Sequence, residues 1–139
     1  MYRRQALAAP FDLAMVSMSK GLGAPGGSLL AGPKDLIRAA VRYRRMLGGA
    51  MRQVGLFAAA ADHALDHHVE RLAEDHANAK RLAAALARSP RIRIDLASVQ
   101  TNVLVFDIVP DAAVPDAFAV VSRARDRGLL INALSATRI

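Results

Sequence analysis

The stretch from Phe11 to Ala31 limits the fold of this chain more than any other. An apolar run, Phe11-Asp12-Leu13-Ala14-Met15-Val16-Ser17-Met18-Ser19, ends at Lys20. Gly21-Leu22-Gly23-Ala24-Pro25-Gly26-Gly27-Ser28 follows at once, and Leu29-Leu30-Ala31 resumes the apolar pattern. Four glycines and a proline in so short a space rule out a helix and predict a strand, a tight loop and a second strand. Lys20 stands at the mouth of that loop. Only three of the 19 basic residues are lysines (Lys20, Lys34, Lys80). A guanidinium stays protonated at any working pH, whereas a desolvated amine can shed its proton and attack a carbonyl. Lys20 is therefore a candidate nucleophile, and the plainer alternative is a solvated lysine that happens to follow a strand.

Beyond the loop, Pro33-Lys34-Asp35 opens a helix, because proline costs nothing in a first helical turn. Leu36, Ile37, Ala40 and Val41 recur at helical spacing until Gly48-Gly49 interrupts them. A second helix is expected over about 51–64, nearly apolar through Val54-Gly55-Leu56-Phe57-Ala58-Ala59-Ala60-Ala61 and so buried against other elements or another subunit. An amphipathic helix over 66–87 stops at Ser89-Pro90. Alternation predicts a strand over 91–96, and a more buried one over 102–108. A helix over 117–127 ends at Gly128, and a short strand is expected over 129–133. The second half thus reads as a small α+β unit.

Charge and composition exclude several functions. The net charge of +7 raises the question of nucleic acid, but basic and acidic residues interleave along the whole length. Aromatic residues make up 4%, too few for a base-stacking surface, so no nucleic-acid partner is expected. No apolar stretch approaches the roughly 18–20 uncharged residues of a membrane span, so no membrane partner is expected either. The absence of cysteine leaves no disulfide framework and fits a cytoplasmic location.

Three further patterns need weighing. Gly21-Leu22-Gly23-Ala24-Pro25-Gly26 formally matches a dinucleotide fingerprint, yet it leads into Ser28-Leu29-Leu30, a strand, where that fingerprint needs a helix. A phosphate-binding Walker loop fails as well, since Lys20 precedes the glycines. His63 and His67 lie one helical turn apart, with His68, Asp66 and Glu70 nearby, but Ala64 stands where a zinc hydrolase has its glutamate, so a solvated face is favoured and no metal is expected. Arg42, Arg44, Arg45 and Arg52 surround the Gly48-Gly49 break, and arginine suits bidentate contact with phosphate or carboxylate. Arg52 stands out, placed at the start of an apolar helix where anion contacts are easily made.

Taken together, Ser19-Lys20-Gly21-Leu22-Gly23-Ala24-Pro25, Gly27-Ser28, Arg45-Met46-Leu47-Gly48-Gly49, Met51-Arg52-Gln53 and Glu70-Arg71-Leu72-Ala73-Glu74-Asp75-His76 resemble the low-specificity L-threonine aldolases, pyridoxal-phosphate enzymes of the aspartate-aminotransferase fold type. The resemblance runs from about Ala8 to Ile139 and implies an α/β chain. Residues 1–50 would end the cofactor-binding large domain; residues 51–139 would be a connecting helix and a small α+β C-terminal domain, truncated at its end. It implies that Lys20 is the catalytic, cofactor-bearing lysine, that Arg52 serves the cofactor phosphate or a neighbouring subunit's site, and that Arg45 lies at the site periphery. The reaction implied is cleavage of the Cα–Cβ bond of L-threonine, or a related β-hydroxy amino acid, to glycine and an aldehyde.

The chain departs from the family at several points. It resembles only the final part of the family, without the upstream phosphate loop, ring-stacking histidine and aspartate for the pyridine nitrogen. It stops before the position of the arginine that binds the substrate carboxylate; Arg138 lies two residues early and is not given that role. Gly26 and Ala50 replace a commoner valine and glycine. These differences mark the chain as a fragment expected to be inactive alone, with a homodimeric or homotetrameric parent. The alternatives are another pyridoxal-phosphate enzyme of the same fold, β-eliminating or aminotransferase-like, and a non-catalytic remnant that pairs with an intact homologue.

Overall fold

The computed structural model describes residues 6–139. The chain divides into two compact units, Met1–Leu72 and Ala73–Ile139. The first therefore takes in the apolar helix that follows residue 50.

In the first unit, strand β1 (Ala14–Ser17) pairs antiparallel with β2 (Ser28–Ala31), Ala14 opposite Ala31 and Ser17 opposite Ser28. The expected strand–loop–strand is thus a hairpin with a ten-residue loop at 18–27. Helix Lys34–Met46 starts after Pro33, as expected. Its end is set by the Gly48 and Gly49 amides, which donate back to the carbonyls of Arg45 and Arg44. The apolar helix begins later than its pattern suggests, at Gly55, and runs to His67. Gln53, with φ of 56°, breaks the helical path just before it. The core is small: Met18, Leu22 and Ala24 of the loop pack on Ala61 and Ala64 of the helix, with Ala60, Val69 and Leu72 at the margin. Alanine at the contact lets loop and helix backbones approach closely. By contrast, both faces of the hairpin are open, with Met15, Val16, Leu29 and Leu30 all exposed.

The expected 66–87 helix is interrupted by a turn at 68–71 and spans Leu72–Leu86. In the second unit its buried Ala79 and Ala83 pack against Val99, with Ile94 and Leu104 alongside. Three sequence expectations fail here. The strand over 91–96 reduces to β3 (Ile92–Arg93), followed by a 3-10 turn at Leu96–Ser98 that Asp95 caps through Ala97 N. The strand over 102–108 reduces to β4 (Asp107–Ile108), antiparallel to β3; Val103 and Val105 are exposed. Residues 129–133 form no strand, and Leu129 and Leu130 are exposed. The partner of this edge is the last three residues instead: Phe106 and Ile139 exchange both backbone hydrogen bonds, and Ile108 N donates to Thr137 O. Helix Ala117–Arg125, capped by Asp116 through Ala119 N, covers a cluster of Ile108, Ala117 and Ile139. Among the described residues no helix is long and apolar enough to cross a membrane.

Arg138 is committed to this edge. Its Nε and Nη2 donate to Asp107 Oδ1 and Oδ2 at 2.8 and 2.9 Å, a bidentate pair. That hydrogen bonding outweighs desolvation and, with the charges of Arg138 and of Arg93 opposite, holds the Asp107 carboxyl below its ordinary range. A carboxylate lowered in the folded state stabilises above its unfolded pKa of about 3.9, and this contribution disappears as pH falls through the lowered value. Asp107→Asn should therefore lower the melting temperature at pH 6, and the deficit should shrink as the pH falls below about 3.9. A deficit that stays constant as the pH falls would contradict this assignment.

Candidate active site

The geometry around Lys20 comes from a hairpin loop tied down at its base. Met18 N donates to Gly27 O (3.1 Å), and Ala24 N donates to Met18 O (3.0 Å). Gly23 N donates to Lys20 O at 2.8 Å, closing a turn over Gly21 and Leu22. Gly23 takes φ of 73°, a left-handed conformation that a side chain disfavours. Met18 is 1% exposed, and Leu22 and Ala24 are buried, whereas Lys20 between them is exposed. Burial of Met18 contributes about 1.5–3 kcal/mol toward holding the loop on the helix.

The Lys20 amine is therefore exposed, and it makes no hydrogen bond or ion pair with another described residue. This corrects the sequence reading, which took an apolar setting to mean a desolvated amine. The apolar side chains beside Lys20 turn under the loop, so this chain alone supplies access to the amine and not its desolvation.

Arg45 and Arg52 are both exposed and belong to the same unit as Lys20. Arg45 lies in the last turn of the 34–46 helix. Arg52 does not begin a helix, as expected, but sits in the turn ahead of Gly55. The Gly-Gly break is held by a residue that the sequence did not single out: Arg44 Nε donates to Gly49 O at 2.8 Å. Arg138 lies in the other unit and is occupied by Asp107. Among the described residues no group of histidine and acidic side chains could hold a metal; the His63 and His67 rings lie 4.4 Å apart, tilted by 46°.

Two contacts on the helix side of the loop were not legible in the sequence. His68 Nδ1 lies 2.6 Å from the Leu22 carbonyl oxygen. The Phe57 ring fills the place of a side chain at position 26: a Cβ on Gly26 would come within 3.0 Å of Phe57 Cε1 and 3.2 Å of Cδ1. Gly26→Val is expected to destabilise the chain by about 1–3 kcal/mol through overpacking. Adding Phe57→Leu should recover most of that loss in a double-mutant cycle read by urea unfolding. Purely additive effects would show that the two positions do not share this space.

With this geometry in view, comparison with known proteins gives a consistent result. The family model described as beta-eliminating lyase matches residues 3–109. The chain is 40% identical over 128 residues to the low specificity L-threonine aldolase of Escherichia coli (strain K12), covering 92% of this chain and 36% of that protein. It is 38% identical over 128 residues to low-specificity L-threonine aldolase 1 of Arabidopsis thaliana, with the same coverage of 92% and 36%. The chain thus spans about a third of the length of these curated relatives. In three dimensions it resembles a crystal structure from Exiguobacterium sp. 255-15, assigned as an aromatic amino acid beta-eliminating lyase/threonine aldolase. The TM-score is 0.75 over 96% of this chain and 39% of the other, at 23% identity, a likeness of fold.

Proposed function

Because the chain belongs to the beta-eliminating lyase family, we propose that it is the lysine-bearing part of a pyridoxal-phosphate-dependent lyase. The reaction is cleavage of the Cα–Cβ bond of L-threonine, or a related β-hydroxy amino acid, to glycine and the corresponding aldehyde. One observation carries this reading: Lys20 presents an unpartnered, exposed amine from a turn whose backbone is fixed on both sides.

The residues present fit the cofactor in part. A primary amine on a pinned turn suits covalent attachment to an aldehyde, and the exposed guanidiniums of Arg52 and Arg45 suit a phosphate or a carboxylate. When bound, pyridoxal phosphate supplies the aldehyde that Lys20 engages and a ring that accepts the electron pair of the broken C–C bond. Lys20 would hold the cofactor through its amine. Arg52 contacts the cofactor phosphate or a neighbouring subunit's site, and Arg45 lies at the periphery. The β-hydroxyl of the substrate loses its proton as the bond breaks, so the aldehyde leaves neutral and the balance needs no oxidant.

The remaining cofactor contacts come from the rest of a longer, cytoplasmic, homo-oligomeric protein. The open hairpin faces around Met15, Val16, Leu29 and Leu30 support this, since apolar area of that extent is normally covered. The 139 residues alone are then inactive. The test is to add the cofactor to the complete protein and to its Lys20→Ala variant, and to assay threonine cleavage. Absorbance of bound cofactor and release of glycine should both require Lys20. Robust turnover by the isolated chain would overturn its expected inactivity alone, and robust turnover by the variant would overturn the role of Lys20. β-Elimination or transamination products in place of an aldehyde would redirect it to another reaction on the same fold.

A further inference from the structure

Leu22 is held from two directions. Its side chain is 7% exposed, packed in the cluster with Ala61 and Ala64 of the 55–67 helix. Its carbonyl oxygen faces His68 Nδ1 at 2.6 Å, across 46 residues of chain. A carbonyl can only accept, so Nδ1 must carry the hydrogen. His68 is itself well placed to hold this point: it caps the helix, its amide donates to Ala64 O at 2.9 Å, and the next residue, Val69, packs on the same cluster. The Leu22–Gly23 peptide whose oxygen it holds lies inside the turn closed by Gly23 N on Lys20 O. Rotating that peptide would break the turn and redirect the lysine two residues earlier. A Cβ on Gly23 would lie 3.7 Å from His68 Nδ1, so the imidazole also lies directly against the turn.

We propose that His68 is a positioning residue for Lys20: its Nδ1–H fixes the Leu22 carbonyl, and the locked turn aims the lysine amine. His68 touches neither cofactor nor substrate in this account. The role rests on the reading of Lys20 as the cofactor-bearing residue, while the hydrogen bond itself does not.

Asparagine and glutamine separate this role from a merely structural one. The amide nitrogen of asparagine stands about where Nδ1 stands, and that of glutamine about where Nε2 stands. The complete protein and its His68→Asn, His68→Gln and His68→Ala variants are compared by amide hydrogen exchange, read in peptides covering 18–27 and 55–67. Each is then treated with pyridoxal phosphate and borohydride, and labelling of Lys20 is measured against Lys34 and Lys80. The glutamine and alanine variants should exchange the 18–27 amides about fivefold faster, the effect of losing one net hydrogen bond, with the 55–67 amides unchanged. Their Lys20 labelling should fall by a similar factor. Asparagine should restore both readouts to within about twofold of wild type. If glutamine or alanine matches wild type in loop exchange, or asparagine fails as alanine does, the positioning role is wrong. Should alanine unfold the helix as well, the asparagine variant decides, because its recovery requires a donor at Nδ1. Exchange that follows the expected order while wild-type Lys20 remains unlabelled would sink the cofactor reading and leave the hydrogen bond standing.

Discussion

Replacing Lys20 with alanine in the complete protein is expected to lower threonine cleavage by about a thousandfold or more, because the covalent hold on the cofactor is lost. The loss should be larger than for any other single substitution in this chain, because no neighbour can substitute. The other two lysines, Lys34 and Lys80, belong to the helices Lys34–Met46 and Leu72–Leu86 and not to the glycine loop. Arginine cannot stand in, since its guanidinium does not lose a proton under working conditions. The loop should survive the change: Lys20 is exposed, and its structural contribution is a backbone carbonyl that Gly23 N binds whatever the side chain. Unfolding midpoints of Lys20→Ala and wild-type apoprotein should therefore agree to within about 0.5 kcal/mol, as for surface changes generally. A variant that lost activity through unfolding would show itself there.

Met18→Ala should have the largest effect on stability, about 2–5 kcal/mol, the range for deleting a buried methionine side chain. Met18 is the only large side chain among the described residues that is almost wholly buried, at 1% exposure. The residues it packs with include Ala24, Ala61 and Ala64, too short to close the space left behind. Set against the roughly 5–15 kcal/mol total stability of a typical domain, this is a large fraction. Met18→Leu conserves volume and should cost less than about 1.5 kcal/mol. Because Met18 also carries the backbone bonds to Ala24 and Gly27, the alanine variant should loosen the loop and weaken cofactor retention as well. Urea unfolding of the two variants checks the first effect, and dialysis followed by cofactor absorbance checks the second. Equal stabilities for alanine and leucine would show that position 18 is not packed.

What could be read from the sequence follows the range of the forces involved. The hairpin was legible because glycine and proline act on their own backbone, and the 34–46 helix because Pro33 and the Gly48-Gly49 pair mark its ends. The start of the 55–67 helix was not, since nothing in the residue type of Gln53 announces a positive φ. At the other end of the chain, 129–133 and 137–139 were rival partners for the edge at 106–108. Apolar pattern favoured the first, but the second won through backbone pairing at Phe106 and Ile108 together with the Arg138–Asp107 ion pair. Choice of strand partner is a long-range matter that local periodicity does not encode. The same limit applies at the candidate site. Lys20 could be found from its neighbours, but whether its amine was covered depended on which way alternate loop residues turned. The contacts of His68 and Phe57 were hidden because they act on residues far away in sequence; His68 drew notice only beside the His63–His67 pair, and Phe57 only within an apolar helix.

The most direct test is borohydride reduction of the complete protein in the presence of pyridoxal phosphate, followed by peptide mapping. Lys20 should carry the cofactor in a stoichiometric yield, with Lys34 and Lys80 unlabelled. An unmodified Lys20 in a protein that nonetheless cleaves threonine would contradict the account at its centre.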